Sequence, residues 1–129
     1  MTSLLWAADS TGAVASKITA TYFRGFIHAV LTNPDTTLVP ADADSTGQAP
    51  TDDYDITLTN TDGVEIMGGA LGDRDTSNSE RAIPVAIVPG TLDTLFIHNY
   101  FNDSKLTVAV SNNAVPNARG YIKIFWQEK

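Results

Sequence analysis

From Tyr54 to Met67 apolar and polar side chains exchange places at nearly every step. Tyr54, Ile56 and Leu58 alternate with Asp55, Thr57 and Thr59, and Val64 and Ile66 resume the pattern after Asn60-Thr61-Asp62-Gly63. A period of two is that of a strand with one covered face. Asn60 and Asp62 bond readily to their own local backbone and Gly63 accepts a positive φ, so the four residues between the runs carry turn chemistry. The stretch therefore predicts a hairpin over 53–67. A lone two-stranded ribbon is marginal in water, so Tyr54, Ile56, Leu58, Val64 and Ile66 must lie on a second layer.

The rest of the chain repeats this pattern in short pieces. Leu4-Leu5-Trp6-Ala7-Ala8 is an apolar run ended by the turn cluster Asp9 to Gly12, and Trp6 is expected either docked on its own chain or reaching a neighbouring subunit. Ile18, Ala20 and Tyr22 alternate with Thr19 and Thr21 as a strand over 17–22, and Gly25 marks a bulge or bend. Phe26 to Leu31 is apolar nearly throughout and stops at Asn33-Pro34-Asp35, which predicts a strand covered on both faces. Ile83, Val85 and Ile87 share a face, with Pro84 at an edge or first-residue position because it cannot donate to a ladder, and Pro89-Gly90 turns the chain. Apolar runs at Leu92 to Ile97 and Tyr100-Phe101 follow. Leu106, Val108 and Val110, then Ile122, Ile124 and Trp126, give two alternating strands expected to pair as an antiparallel hairpin across Asn112 to Arg119. The predicted fold is all-β: one domain over 1–129, an antiparallel β-sandwich or jelly roll of about eight short strands. Its core is expected to hold Tyr54, Ile56, Leu58, Ile66, Val108, Val110, Ile122 and Ile124.

Two segments break the pattern. Residues 35–53 carry Asp42, Asp44, Asp52, Asp53, Pro40, Gly47 and Pro50, with hardly a large apolar side chain after Val39. Such a stretch gains little from its own packing, which predicts a long acidic surface loop and, with Trp6, the first place to look for contacts with other chains. Gly68 to Glu80 holds three glycines, but no Gly-Lys-Ser/Thr ending and no following helix, so it reads as a turn with a helical kink around 70–74 rather than a phosphate loop. Arg74 between Asp73 and Asp75 is expected to pair with a carboxylate or to cap backbone carbonyls.

Composition narrows the function classes. The chain has 129 residues, enough to bury a core without staples, and it has no cysteine, which excludes disulfides and thiolate metal sites. Fifteen acidic against eight scattered basic residues give a formal charge of −7, contrary to a nucleic-acid surface. No apolar run reaches the ~20 residues of a membrane helix, and the Met1 region lacks the marks of a signal peptide, so a soluble protein made in a cytosol is expected. No nucleophile stands with a base, and the two histidines, His28 and His98, sit in strand-like apolar runs. The expectation is no catalytic residue, no cofactor and no metal. Calcium on Asp42, Asp44, Asp52 and Asp53 is the metal alternative, although placing Asp62-Gly63 on an EF-hand frame puts Leu58 at the first ligand position. Trp6, Tyr100, Phe101, Tyr121 and Trp126 serve either core and interface packing or a sugar-stacking platform.

The block Ala49-Pro50-Thr51-Asp52-Asp53-Tyr54-Asp55-Ile56-Thr57-Leu58, then Asp62-Gly63-Val64-Glu65-Ile66, Gly68-Gly69 and Arg74-Asp75, resembles a pattern of small structural proteins of tailed bacteriophages. Thr32-Asn33-Pro34 before it and Gly120-Tyr121-Ile122-Lys123-Ile124 at the closing strand fit the same pattern, so the resemblance covers roughly residues 26–80 and the last strand. The acidic insert from Asp35 to Gln48 is longer than in that pattern, so interface residues do not transfer one to one, and the resemblance brings no catalytic residues. It implies a non-enzymatic virion protein made in the host bacterial cytoplasm. The expected role is capsid decoration or cement, with a homotrimer bridging capsomers of the major capsid protein. The alternative is a carbohydrate-binding module of a tail or fibre. The candidate interface residues are Trp6, Asp42, Asp44, Asp52 and Asp53.

Overall fold

The computed structural model describes residues 1–34, 49–87, 94–96 and 100–128. Its strands in chain order are β1 (Thr2–Ala7), β2 (Lys17–Ile18), β3 (Phe23–Asn33), β4 (Asp55–Thr59), β5 (Glu80–Ala82), β6 (Val85–Ile87), β7 (Thr94–Phe96), β8 (Tyr100–Ser104), β9 (Thr107–Ser111) and β10 (Arg119–Glu128). All pairings are antiparallel. A larger sheet runs β1-β10-β3-β5 with β8 also on β3, a smaller one runs β2-β9-β4, and β6 pairs with β7. Among the described residues there is no helix. The architecture is all-β and sandwich-like.

The alternation seen in the sequence is what the two sheets bury. Ile56 and Leu58 of β4, Val108 and Val110 of β9, and Ile122 and Ile124 of β10 all belong to one core cluster, and so do Tyr54 and Ile66. Trp6 of β1 meets Tyr54 across this core, ring centroids 5.7 Å apart. In β3, lying between β10 and β5, no residue from Gly25 to Asn33 is exposed, as expected of a strand covered on both faces. Gly25 sits at a register shift in the β3–β8 pairing with φ +133°. A Cβ there would lie 1.9 Å from the carbonyl oxygen of Gln127, so only glycine allows β10 this close.

Several expected pairings are corrected. β9 does not form a hairpin with β10: β9 pairs with β4 and β2, and β10 with β1 and β3, so the two strands lie in different sheets. The connection between them is tied down by Asn113. Its Nδ2 donates to the carbonyls of Gly12 (2.8 Å) and Val115 (3.1 Å), and its Oδ1 accepts from the Thr51 amide. The hairpin over 53–67 keeps its turn but loses most of its return strand. Asn60 Oδ1 accepts from the amides of Asp62 and Val64, while Ile66 N donates to Leu58 O. Glu65 then takes the amides of Met67 and Gly69, which draws the chain off the ladder and leaves Val64 58% exposed rather than inward.

The strand expected over 17–22 is only Lys17–Ile18, because Thr19 Oγ1 accepts the Leu106 amide and donates to the Thr21 carbonyl, replacing the ladder with side-chain bonds. The run 82–88 is split at Ile83-Pro84 into β5 and β6, which belong to different sheets. The helical kink at 70–74 is a pair of turns closed by Ala70 N to Met67 O and Gly72 N to Gly69 O.

Candidate functional site

The residues that carry the phage resemblance come together beside β4. Tyr54 and Arg74 form an isolated bridge, with Arg74 N donating to Tyr54 O at 2.8 Å. The Arg74 guanidinium donates to the Gly72 carbonyl from Nε (3.0 Å) and Nη2 (2.8 Å) and lies 3.4 Å from Glu80, so it fulfils both roles expected of it. Asp55 accepts the Asp73 amide and the Asn112 side chain, and Thr76 donates to the carbonyl of Pro50 at 2.6 Å. Asp75 closes its own turn by accepting from the Ser77 and Asn78 amides and the Asn78 side chain, bonds that hold its carboxyl below the usual range. These side chains are occupied in fastening loops 49–55 and 72–80 to each other and to β4.

Tyr54 sits at the base of this cluster, fully buried. Its hydroxyl has no hydrogen-bond partner, and the neighbouring Thr32 hydroxyl donates instead to the Glu80 carbonyl at 3.3 Å. Burial pushes the phenol pKa from its ordinary 10.0 up to about 12, with the Arg74 charge opposing the rise. A pKa raised in the folded state means full stability below pH 10 that is lost as pH climbs through about 12. Tyr54→Phe is expected to remove that alkaline loss. By deleting an unsatisfied buried hydroxyl, it is also expected to raise stability at neutral pH by about 1 kcal/mol. Urea unfolding of both proteins at pH 7 and through the alkaline range measures this; a less stable Phe variant at pH 7 would show that the hydroxyl is bonded.

Of the expected interface residues that are described, Trp6 and the Asp52–Asp53 pair do not share one surface. Trp6 is 1% exposed and packs in its own chain's core against Tyr54, the docked one of its two expected placements. Asp52 and Asp53 are exposed on a turn beside the Tyr54 cluster, Asp53 at φ +62° and Asp52 Oδ1 facing the Thr76 amide at 3.4 Å. Asp42 and Asp44 lie outside the described residues, as does His98. Among the described residues no three of His, Cys, Asp and Glu converge as a metal site. His28 is half-buried on β3 with Nε2 3.3 Å from Gln127 Oε1. Among the described side chains, Trp6, Tyr121 and Trp126 do not build one platform, and the side chains of Tyr100 and Phe101 lie outside the described ones. Trp126 packs edge-on against Phe23 at 5.2 Å, whereas Tyr121 faces the other side of the large sheet beneath Lys123 Nζ.

Two surfaces escaped the sequence reading. One is an open groove of about 440 Å³ where Ile18 and Tyr22, both well exposed, meet Thr59, Thr61 and Thr107, with Lys105 Nζ 4.8 Å from the Tyr22 ring centre. Its lining has hydroxyls, an aromatic ring and the Lys105 ammonium, a surface suited to a polar ring.

The other is the outer face of the large sheet. Antiparallel partners share a face, so the register sets Ser3, Lys123, Leu31 and Arg81 in one outward row, Leu5, Tyr121 and Asn33 in the next, and Ala7 with Arg119 beyond. The inward rows are Leu4, Ile122 and Thr32, then Trp6 with Gly120. The outward positions of β1, β10 and β5 are aromatic and cationic, whereas on β3 Asn33 and Ala29 are buried, so this face is covered along its central strand. No match was found for the chain among protein-family models, curated proteins or solved structures.

Proposed function

We propose that this is a non-enzymatic structural protein of a bacteriophage virion, a capsid decoration or cement protein that acts by surface burial against the major capsid protein and copies of itself, in a trimer. The observation that carries the reading is the fate of the phage-like residues. The side chains of Asp55, Arg74 and Asp75, which a catalytic reading would need free, are tied to backbone groups of the loops, and Arg74 also to Glu80, in holding a surface cluster together. What such a cluster offers a partner is shape and fixed charge. A cement role needs interfaces of roughly 1,200 to 2,000 Å² shared among capsomers, and a domain of this size has surface for that.

The Tyr22 groove favours a second reading, a carbohydrate-binding module of a tail or fibre. Stoichiometry separates the two. Gel densitometry of purified particles is expected to give a copy number comparable with that of the major capsid protein. A copy number suited to the tail alone, together with glycan binding that Tyr22→Ala abolishes, would replace the first reading by the second, and absence from particles would end both.

A further inference from the structure

We infer that the Tyr22 groove is a subsite for an acidic sugar, a ring bearing a carboxylate that meets Lys105 while its C–H face lies on Tyr22. The inference rests on the carbohydrate reading of the groove and names the class of sugar; it does not depend on where in a particle the protein stands. Strand register sets the floor of the site. Ile18, Thr107 and Thr59 are paired across β2, β9 and β4, and their side chains share one outward row, since Leu58 and Val108 of the next row are buried in the core. Threonines suit such a solvated row. Ile18 at 66% exposure does not, nor does the Tyr22 ring at 58% beside it. Apolar surface held open next to hydroxyls matches a sugar, which has an apolar C–H face and polar edges.

The walls are fastened to one another. Thr19 N donates to the Leu106 carbonyl and Thr19 Oγ1 accepts the Leu106 amide, which fixes the segment carrying Tyr22 against the one carrying Lys105. Thr61 N donates to Ser104 Oγ, which ties the 60–63 turn to the same segment. Three pieces of chain thus present a fixed concavity of about 440 Å³, within the roughly 300 to 1,000 Å³ of small-molecule sites. A site already formed loses little to ordering when it binds.

Donors and acceptors set the charge of the ligand. Asn60 Oδ1 already accepts the Asp62 and Val64 amides, so the Asn60 side chain can offer a ligand only its Nδ2 hydrogens. Lys105 Nζ can only donate; it stands 4.8 Å from the Tyr22 ring centre and has no carboxylate partner among the described residues. The Thr59 and Thr107 hydroxyls turn either way. The described lining is therefore richer in donors than in acceptors, and one donor carries a full charge. Asp62, between the lining residues Thr61 and Gly63, is not itself on the described lining, so Lys105 is the charge within direct reach of a bound ring. A neutral sugar leaves the ammonium only hydroxyls, whereas a carboxylate gives it a charge-assisted bond.

Calorimetric titration of the full chain with trisaccharides of galacturonate and of glucuronate, each beside its neutral methyl ester, tests this. At least one of the acids is expected to bind, and its ester to bind about fivefold more weakly, since an exposed ion pair is worth little more than that factor. High salt is expected to bring the acid down to the level of its ester. Lys105→Met keeps the aliphatic stem on Tyr22 and removes the charge, so acid and ester are expected to bind it alike, with the ester unchanged from the parent. Tyr22→Ala is expected to lose both. Lys105 is half-buried and Tyr22 exposed, and far-ultraviolet dichroism checks that the variants fold. Esters that bind the parent as tightly as the acids, or a preference for acid that survives Lys105→Met, would overturn the inference and leave the carbohydrate reading standing. Absence of binding by every one of these sugars would end both.

Discussion

Trp6→Ala is expected to cost about 3 to 5 kcal/mol, a large share of the roughly 5 to 15 kcal/mol that holds a domain of this size folded. The indole is 1% exposed, stacks at a tilt on Tyr54, and lies over Gly120, whose missing side chain makes room for it: a Cβ on Gly120 would stand 2.7 Å from the Trp6 ring and 2.8 Å from the Asn33 carbonyl oxygen. Truncation leaves a void between the sheets that neither the strand register nor Tyr54 can close. The same geometry predicts coupling. Gly120→Ala is strongly destabilising in the parent, and its cost falls in the Trp6→Ala background, where the ring it would strike is gone. A double-mutant cycle by urea unfolding reads this directly. If Trp6→Ala left the midpoint unchanged while altering assembly, the residue would belong to an interface after all.

Gly25→Ala is expected to cost about 3 kcal/mol or more, again by urea unfolding. Two penalties combine. At φ +133° an L side chain is strained, and the new methyl would overlap the Gln127 carbonyl oxygen at 1.9 Å and crowd the Glu128 Cα at 3.1 Å. All of these are backbone atoms of β10, so relief requires peeling the end of β10 from β3, which also uncovers the Phe23–Trp126 contact. Gly63→Ala is the internal control. Its φ of +78° is also positive, yet nothing lies within 4 Å of the position, so only the backbone term of about 1 kcal/mol remains. Equal losses in the two variants would mean that β3 and β10 part without resistance at Gly25.

What the sequence made legible was local. Alternation at Ile56 and Leu58, at Val108 and Val110, and at Ile122 and Ile124 follows from which face of a strand is buried, and that is written in neighbouring residues. Choice of partner is not. A strand with one apolar face looks the same whichever edge it joins, so β9 and β10 read as a hairpin although each pairs elsewhere. Thr19 ended β2 by a hydroxyl bond to an amide 87 residues away, which no local pattern encodes. Trp6 was ambiguous because its covering partner is a glycine. Glycine inside the run Gly120 to Trp126 is itself a signal of close approach, and it was the clue available. The cationic outward positions of the large sheet stayed hidden because Arg81, Arg119 and Lys123 come to one sheet only once β1, β10, β3 and β5 are set side by side.

The placement of β10 between β1 and β3 has a consequence for how the chain reaches this state. Among the described residues β1 and β3 share no ladder of their own; each is joined to the other through β10, which is made after both of them. Until then β1 has no ladder partner and β3 keeps one edge open, a window in which wrong pairing between chains competes with closure. Bringing Trp6 to Gly120 across nearly the whole sequence is a costly, late contact, and folding is expected on the slow scale of roughly milliseconds to seconds typical of non-local β pairing.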